Sequence, residues 1–245
     1  FRDNVQRPTR STALVVGDPR LGEWATLFHP LDGAANEAEQ IYGQLKDAGF
    51  EAVRQIRAAA PQILTDLFRD DWRVLHLSGH GVYLEDLPAT ARIAARPRAT
   101  GMVIGDGDLL TTAHIAQMRV VPDFVFINCC SLGRIEGEGA LPDGARPGDP
   151  KLAANLATEL IEMGVHCVIA AGWKVLDAAA LLFAQTFYER FLAGICFGEA
   201  VLAAREASFE QYASSNTWGA YQCYGNPGFV LRASAATRLT FARSE

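Results

Sequence analysis

The sequence contains no apolar run approaching the roughly 18 residues that a bilayer-spanning helix needs. Its opening, Phe1-Arg2-Asp3-Asn4, is too polar for a secretory leader and has no initiator Met. Residue 1 therefore reads as a processing boundary, with further domains expected before it. Excess positive charge is also missing: the net charge is −6 and the pI about 5.4, which argues against a nucleic-acid binder working through a basic surface. No disulfide framework is visible, because the five cysteines are odd in number and two of them are adjacent. The thiols read as reduced and the chain as cytoplasmic. Neither Gly-x-x-x-x-Gly-Lys-Ser/Thr nor a strand-borne Gly-x-Gly-x-x-Gly occurs, which counts against a nucleotide-binding α/β domain.

What is present is enough for one core. Hydrophobic residues make up 49% of the 245 and charged residues 20%, ordinary values for a globular domain. Residues 1–11 read as an arm or linker, 12–232 as a single domain and 233–245 as a tail. Thr12 to Pro19 reads as a first buried strand stopped by its Gly and Pro, and the long stretch 20–33 reads as a functional or mobile loop. Ala38, Ile41, Tyr42 and Leu45 give one apolar face to a helix over 34–48, and Gly49 ends it. A strand over 51–56 and a helix beginning at Pro61 follow. Met102 to Leu110 turns as a hairpin at Gly105-Asp106-Gly107, and Thr111 or Thr112 caps a short helix running through Met118. Helices are expected at 152–163, 177–192 and 198–212, with strands near 165–171 and 220–224. Strands alternating with amphipathic helices imply a mostly parallel sheet of about six strands covered on both faces.

Two strands carry chemistry. Phe124 to Ile127 is apolar and gives way to Asn128-Cys129-Cys130-Ser131-Leu132-Gly133. About fifty residues upstream, Arg73-Val74-Leu75-His76-Leu77-Ser78-Gly79-His80-Gly81 has the same form. Open parallel sheets collect their chemistry outside the carboxyl ends of the strands. A cysteine nucleophile needs a base that later protonates the leaving group, and donors for the oxyanion. Cys130 and His80 supply the first two if their strands are neighbours, and the amides of Gly81 and Cys130 are candidates for the third. His76 lies inside the apolar run and His80 beyond it. The bland reading is that both side chains are structural, since free cysteine is among the most buried residue types.

A histidine in His-Gly some fifty residues before a cysteine-bearing strand end is the spacing of caspases. The ordered set His76-Leu77-Ser78-Gly79-His80-Gly81, Asn128-Cys129-Cys130-Ser131-Leu132-Gly133, Gly164 to Trp173, Asp177-Ala178-Ala179 and Tyr224-Gly225-Asn226-Pro227 resembles the CHAT family. These are caspase-like domains related to separase and often joined to tetratricopeptide repeats. The resemblance covers roughly residues 12–230. It implies an α/β fold of caspase-like three-layer sandwich type and a cysteine endopeptidase of clan CD acting on a protein substrate. It further implies Cys130 as nucleophile, His80 as the catalytic histidine, no third triad member, and no metal or other cofactor. An activating domain or partner outside this chain, and a bacterial defence setting, belong to the same implication. Two departures touch the substrate pocket. Cys129 stands where the family commonly has a small residue, and Trp173-Lys174-Val175-Leu176-Asp177 replaces Trp-Pro-Val-Asp-Asp.

By the same resemblance Asp18, Asn128, Trp173 and Asp177 line the primary pocket. An acidic floor there favours Arg or Lys before the cut, while Lys174 opposes it. The plain alternative gives Asp18 a turn to cap and Asp177 a helix to cap. The segments 84–100 and 134–150, the latter rich in glycine and proline, read as loops and as candidate processing sites. Two competing functions remain. One is a catalytically silent caspase-like scaffold that binds protein partners. The other is a zinc site of His76, His80, Cys129 and Cys130, whose spacing suits a helix better than a strand. His29, His114 and His166 have no companions in the sequence.

Overall fold

The structure, a computed structural model, describes residues 5–82, 101–105, 107–131 and 151–232. The order is β1 (Thr12–Gly17), a 3-10 turn (Gly22–Thr26), α1 (Asp32–Asp47), β2 (Glu51–Ile56), α2 (Ala60–Arg69), β3 (Val74–Val82), β4 (Gly101–Gly105) and β5 (Asp108–Leu110). Then come α3 (Thr112–Ala116), β6 (Phe124–Ser131), α4 (Lys151–Met163), β7 (Cys167–Ala171), α5 (Asp177–Leu192), α6 (Phe197–Gln211), α7 (Thr217–Ala220) and β8 (Tyr221–Gly225). The expected loop at 134–150, the loop at 84–100 and the tail at 233–245 lie outside the described residues.

Among the described residues one sheet runs β2-β1-β3-β6-β7-β8, the six main strands expected, and the expected hairpin, β4–β5, attaches to the end of β3 and brings the sheet to eight. β1, β2, β3, β6 and β7 are parallel, while β8 returns antiparallel along β7. The strands alternate their faces. Leu14, Val16, Leu75, Leu77, Val125, Ile127, Val168 and Ala170 pack against α2, α3 and α4. Ala13, Val15, Val74, Phe124, Phe126, Cys167 and Ile169 pack against α1, α5 and α6. This second layer is aromatic: the Phe124 ring lies 5.2, 5.1 and 6.2 Å from those of Phe187, Phe191 and Phe197. Gly17 lets α1 close on β1, since a Cβ there would overlap that of Ala38.

The chain leaves β1 leftward for β2 and returns to build β3, β6 and β7 on the other side. The topological switch point therefore lies between β1 and β3, where open α/β sheets form a crevice. Two expectations are corrected here. The histidine and cysteine strands do not stop before the chemistry. β3 continues through Val82 and β6 through Ser131, so His80 and Cys130 are strand residues rather than loop residues. The extension persists because each backbone has a partner: Gly79, His80 and Gly81 run beside Cys129, Cys130 and Ser131, and Gly81 and Val82 also pair with Met102 and Gly101 of β4. The stretch 20–33 is likewise partly ordered. It holds the 3-10 turn, and α1 begins two residues earlier than its apolar face indicated.

The residues before β1 lie along the body. Arg7 donates to the carbonyls of Pro122 and Gly164, and the Val121 amide donates to the Gln6 carbonyl. Among the described residues, no helix is long and apolar enough to cross a membrane.

Candidate active site

β1 ends at Gly17, opposite Ser78, while β3 and β6 run on past it. The overhang is covered by the segment after β1. Asp18 takes a left-handed φ of 43° and turns the chain, with its amide donating to the Ser78 carbonyl at 2.9 Å. Leu21, Trp24 and Phe28 then pack on Val82, Val103 and Leu109. This strap brings Phe28 against the His80 ring, with centroids 4.6 Å apart, and sets the His29 carbonyl 2.7 Å from His80 Nε2. A carbonyl only accepts, so Nε2 carries the hydrogen and the Nδ1 lone pair remains available. His80 is 7% exposed, and burial lowers its pKa from 6.5 more than the His29 carbonyl and the Asp18 charge raise it.

Cys130 stands in register with His80 on the adjacent parallel strand, and Gly81 lies between Ser131 of β6 and Met102 of β4. Cys129 points into the other layer, buried among Leu77, Ile127 and Leu156, with its thiol toward the Leu77 carbonyl at 3.9 Å.

The pocket candidates are distributed unevenly. Asp18 is buried with both oxygens engaged: Oδ1 accepts from the Leu31 amide at 2.9 Å and Oδ2 from Arg57 Nε at 3.1 Å. Asn128 is buried and donates from Nδ2 to Glu37 Oε2 at 2.7 Å. Trp173 is half-buried two residues beyond β7 and lies over Gly219 of α7. Asp177 is exposed at the first turn of α5, against Gly33 in the first turn of α1, and Lys174 is exposed nearby in the chain.

Two contributors were not anticipated from the sequence. One is the backbone of His29, which acts through its carbonyl and leaves no trace in residue type. The other is Glu37, buried below the strand ends in contact with His76 and Asn128. Its sequence signal was present, since it lies one helical turn before Ile41 and so borders the apolar stripe of α1.

A comparison with curated protein sequences gave no match. Among solved structures, the chain is similar to the Arg-specific cysteine proteinase gingipain R, with a TM-score of 0.56 and 16% identity over 94% of this chain and 51% of that one. It is also similar to the complex of Porphyromonas gingivalis RgpB pro- and mature domains, with a TM-score of 0.57 and 15% identity over 94% and 52%. The chain thus spans about half the length of these proteins and shares their fold. A family model for the CHAT domain matches residues 2–226, nearly the whole sequence, and the chain belongs to the CHAT domain family.

Proposed function

We propose that this chain is a cysteine endopeptidase working through a Cys130–His80 dyad. The observation that carries this reading is the β3–β6 register, which sets His80 beside Cys130, together with the His29 carbonyl that holds Nε2 and leaves Nδ1 to act as base. Nδ1 takes the thiol proton, and the thiolate attacks the scissile carbonyl carbon. The resulting oxyanion is met by the amides of Gly81 and Cys130. The C–N bond breaks as the imidazolium returns its proton to the leaving amine. Water, deprotonated by the same nitrogen, then cleaves the thioester and frees the thiol. Neutral imidazole is needed at the first step, and burial of His80 favours that form.

Arg or Lys before the cut is the preference this reading carries. The gingipain R of similar fold is Arg-specific by name, and Asp177 presents an exposed carboxylate in the first turn of α5. Asp18 and Asn128 act as wall residues, because their polar atoms are given to Leu31, Arg57 and Glu37. A protein partner or additional domain outside this chain regulates access.

The test is cleavage of fluorogenic peptides varied at the residue before the cut, beside Cys130→Ala and His80→Ala. Activity that is lost in both variants and strongest on Arg or Lys peptides is the expected result. Activity surviving Cys130→Ala would sink the dyad. Asp177→Asn is expected to reduce kcat/KM for Arg peptides about ten-fold while sparing apolar ones, the scale of one charge-assisted hydrogen bond.

A further inference from the structure

Beneath the strand ends lies a polar cluster in an otherwise apolar layer. Glu37 of α1 and His76 of β3 are 2% and 0% exposed, and His76 Nε2 sits 3.2 Å from Glu37 Oε1. The other carboxylate oxygen, Oε2, accepts from Asn128 Nδ2 of β6 at 2.7 Å. On the far side of the imidazole, Nδ1 lies 3.2 Å from the hydroxyl of Tyr188, a fully buried residue of α5, and the ring stacks on Phe126 with centroids 4.9 Å apart. Burial, and after it the Glu37 charge, holds the Tyr188 phenol well above its ordinary range. The Glu37 carboxylate only accepts, which places the imidazole hydrogen on Nε2 and leaves Nδ1 to accept from the protonated Tyr188 hydroxyl.

A buried carboxylate is costly unless it is paired and hydrogen-bonded, and apolar replacements for such clusters are often at least as stable. Stability is thus a weak reason for this one. Its placement offers a better reason. One carboxylate bridges the two strands that carry the dyad, holding β3 four residues before His80 and β6 two residues before Cys130. A slip of one residue between β3 and β6 would set His80 opposite a neighbour of Cys130, with every side chain on the wrong face. Apolar packing alone opposes such a slip only through shape, whereas the carboxylate adds a directed bond from Asn128 and a close charge contact with His76.

We propose that Glu37 is a positioning residue. Its carboxylate clips His76 of β3 to Asn128 of β6 and so fixes the register in which His80 meets Cys130. This rests on the dyad reading above.

The test is the pH dependence of Cys130 alkylation by iodoacetamide in the full chain, read by mass spectrometry, with kcat and KM on a fluorogenic peptide. In the native chain the Cys130 midpoint is expected below the ordinary thiol value of about 8.5, because His80 takes the thiol proton and the imidazolium so formed pairs with the thiolate. Glu37→Ala is expected to raise the midpoint toward that value and to lower kcat about 100-fold at unchanged KM, the scale of a misplaced reacting group. Glu37→Gln keeps an acceptor for Asn128 but turns an amide N–H toward His76 Nε2–H, so it is expected to fall between the native chain and Glu37→Ala in both. Asn128→Ala leaves Glu37 on His76 and is expected to move the midpoint the same way by less. Near-UV circular dichroism reports whether each variant is folded. A folded Glu37→Ala with an unmoved midpoint overturns the proposal; if that variant does not fold, an unmoved midpoint in Asn128→Ala does so. A native chain whose Cys130 titrates as an ordinary thiol, unaffected by His80→Ala, overturns the dyad and this proposal together.

Discussion

His80 and its surroundings make the sharpest residue-scale prediction. Its folded pKa lies below 6.5 because burial disfavours the charged ring, and His166 is shifted the same way by burial and by Arg7. As pH falls, the unfolded chain takes up these protons first, so the unfolded state binds more protons and stability rises with pH across this window. The contribution is complete above about pH 6.5, is lost as pH falls from there toward the lowered folded values, and is level below them. Urea unfolding at about pH 7.5 and about pH 5.5 should show this loss, and His80→Gln should flatten part of it. The spare thiols behave oppositely. Burial pushes Cys167 up to about 12 and Cys223 up to about 11, so neither is expected to react with iodoacetamide at about pH 8 until the chain is unfolded. Native labelling of Cys167 would contradict its burial. The sequence singled out His80 and Cys130, which the sheet sets in register, because short apolar runs led into both. It did not expose the work of Asp18, since an acidic residue at a strand end reads equally well as a pocket floor or as a turn. Only the fold brings Arg57 and the Leu31 amide to its two oxygens.

At the scale of elements, the close approach of α1 to β1 matters most, because α1 carries Glu37 and follows the strap over His80. Gly17 is the contact point, and a methyl group there would overlap the Ala38 Cβ. Gly17→Ala is expected to cost about 1–3 kcal/mol in denaturant unfolding, the usual range for overpacking. It should also reduce peptide cleavage, because the helix has to move outward. Wild-type stability in this variant would show that α1 can shift freely. Element positions were legible wherever hydrophobic periodicity was long, as in α5, whose bounds Asp177–Leu192 match the expected 177–192. Strand ends were less legible. An apolar run signals burial on both faces, whereas β3 and β6 continue through Gly79, Gly81 and Asn128 because a neighbouring strand satisfies their backbones. That pairing partner is remote in sequence, so no local pattern announces it.

For the whole molecule, the aromatic layer between the sheet and α5 and α6 is a main store of cohesion among the described residues. Phe124 sits at its centre, fully buried among Phe187, Tyr188, Phe191 and Phe197. Phe124→Ala is expected to cost about 3–5 kcal/mol, readable as a lowered denaturation midpoint at unchanged slope. A cost below 1 kcal/mol would mean that the layer collapses onto the gap. The register between β3 and β6, eight consecutive pairs from Val74–Phe124 to Gly81–Ser131, has a consequence of another kind. Hydrogen-bonded strands stand about 4.8 Å apart, so the spacing of the two reactive positions is set by the lattice of the sheet, as marks are set on a ruler. If the proposed dyad is active, switching it off means closing the road to the marks, because moving them would tear the sheet. A chain silent toward peptides is accordingly expected still to be labelled at Cys130 by an electrophile the size of iodoacetamide, and the ratio of those two rates becomes a gauge of how far its entrance is open.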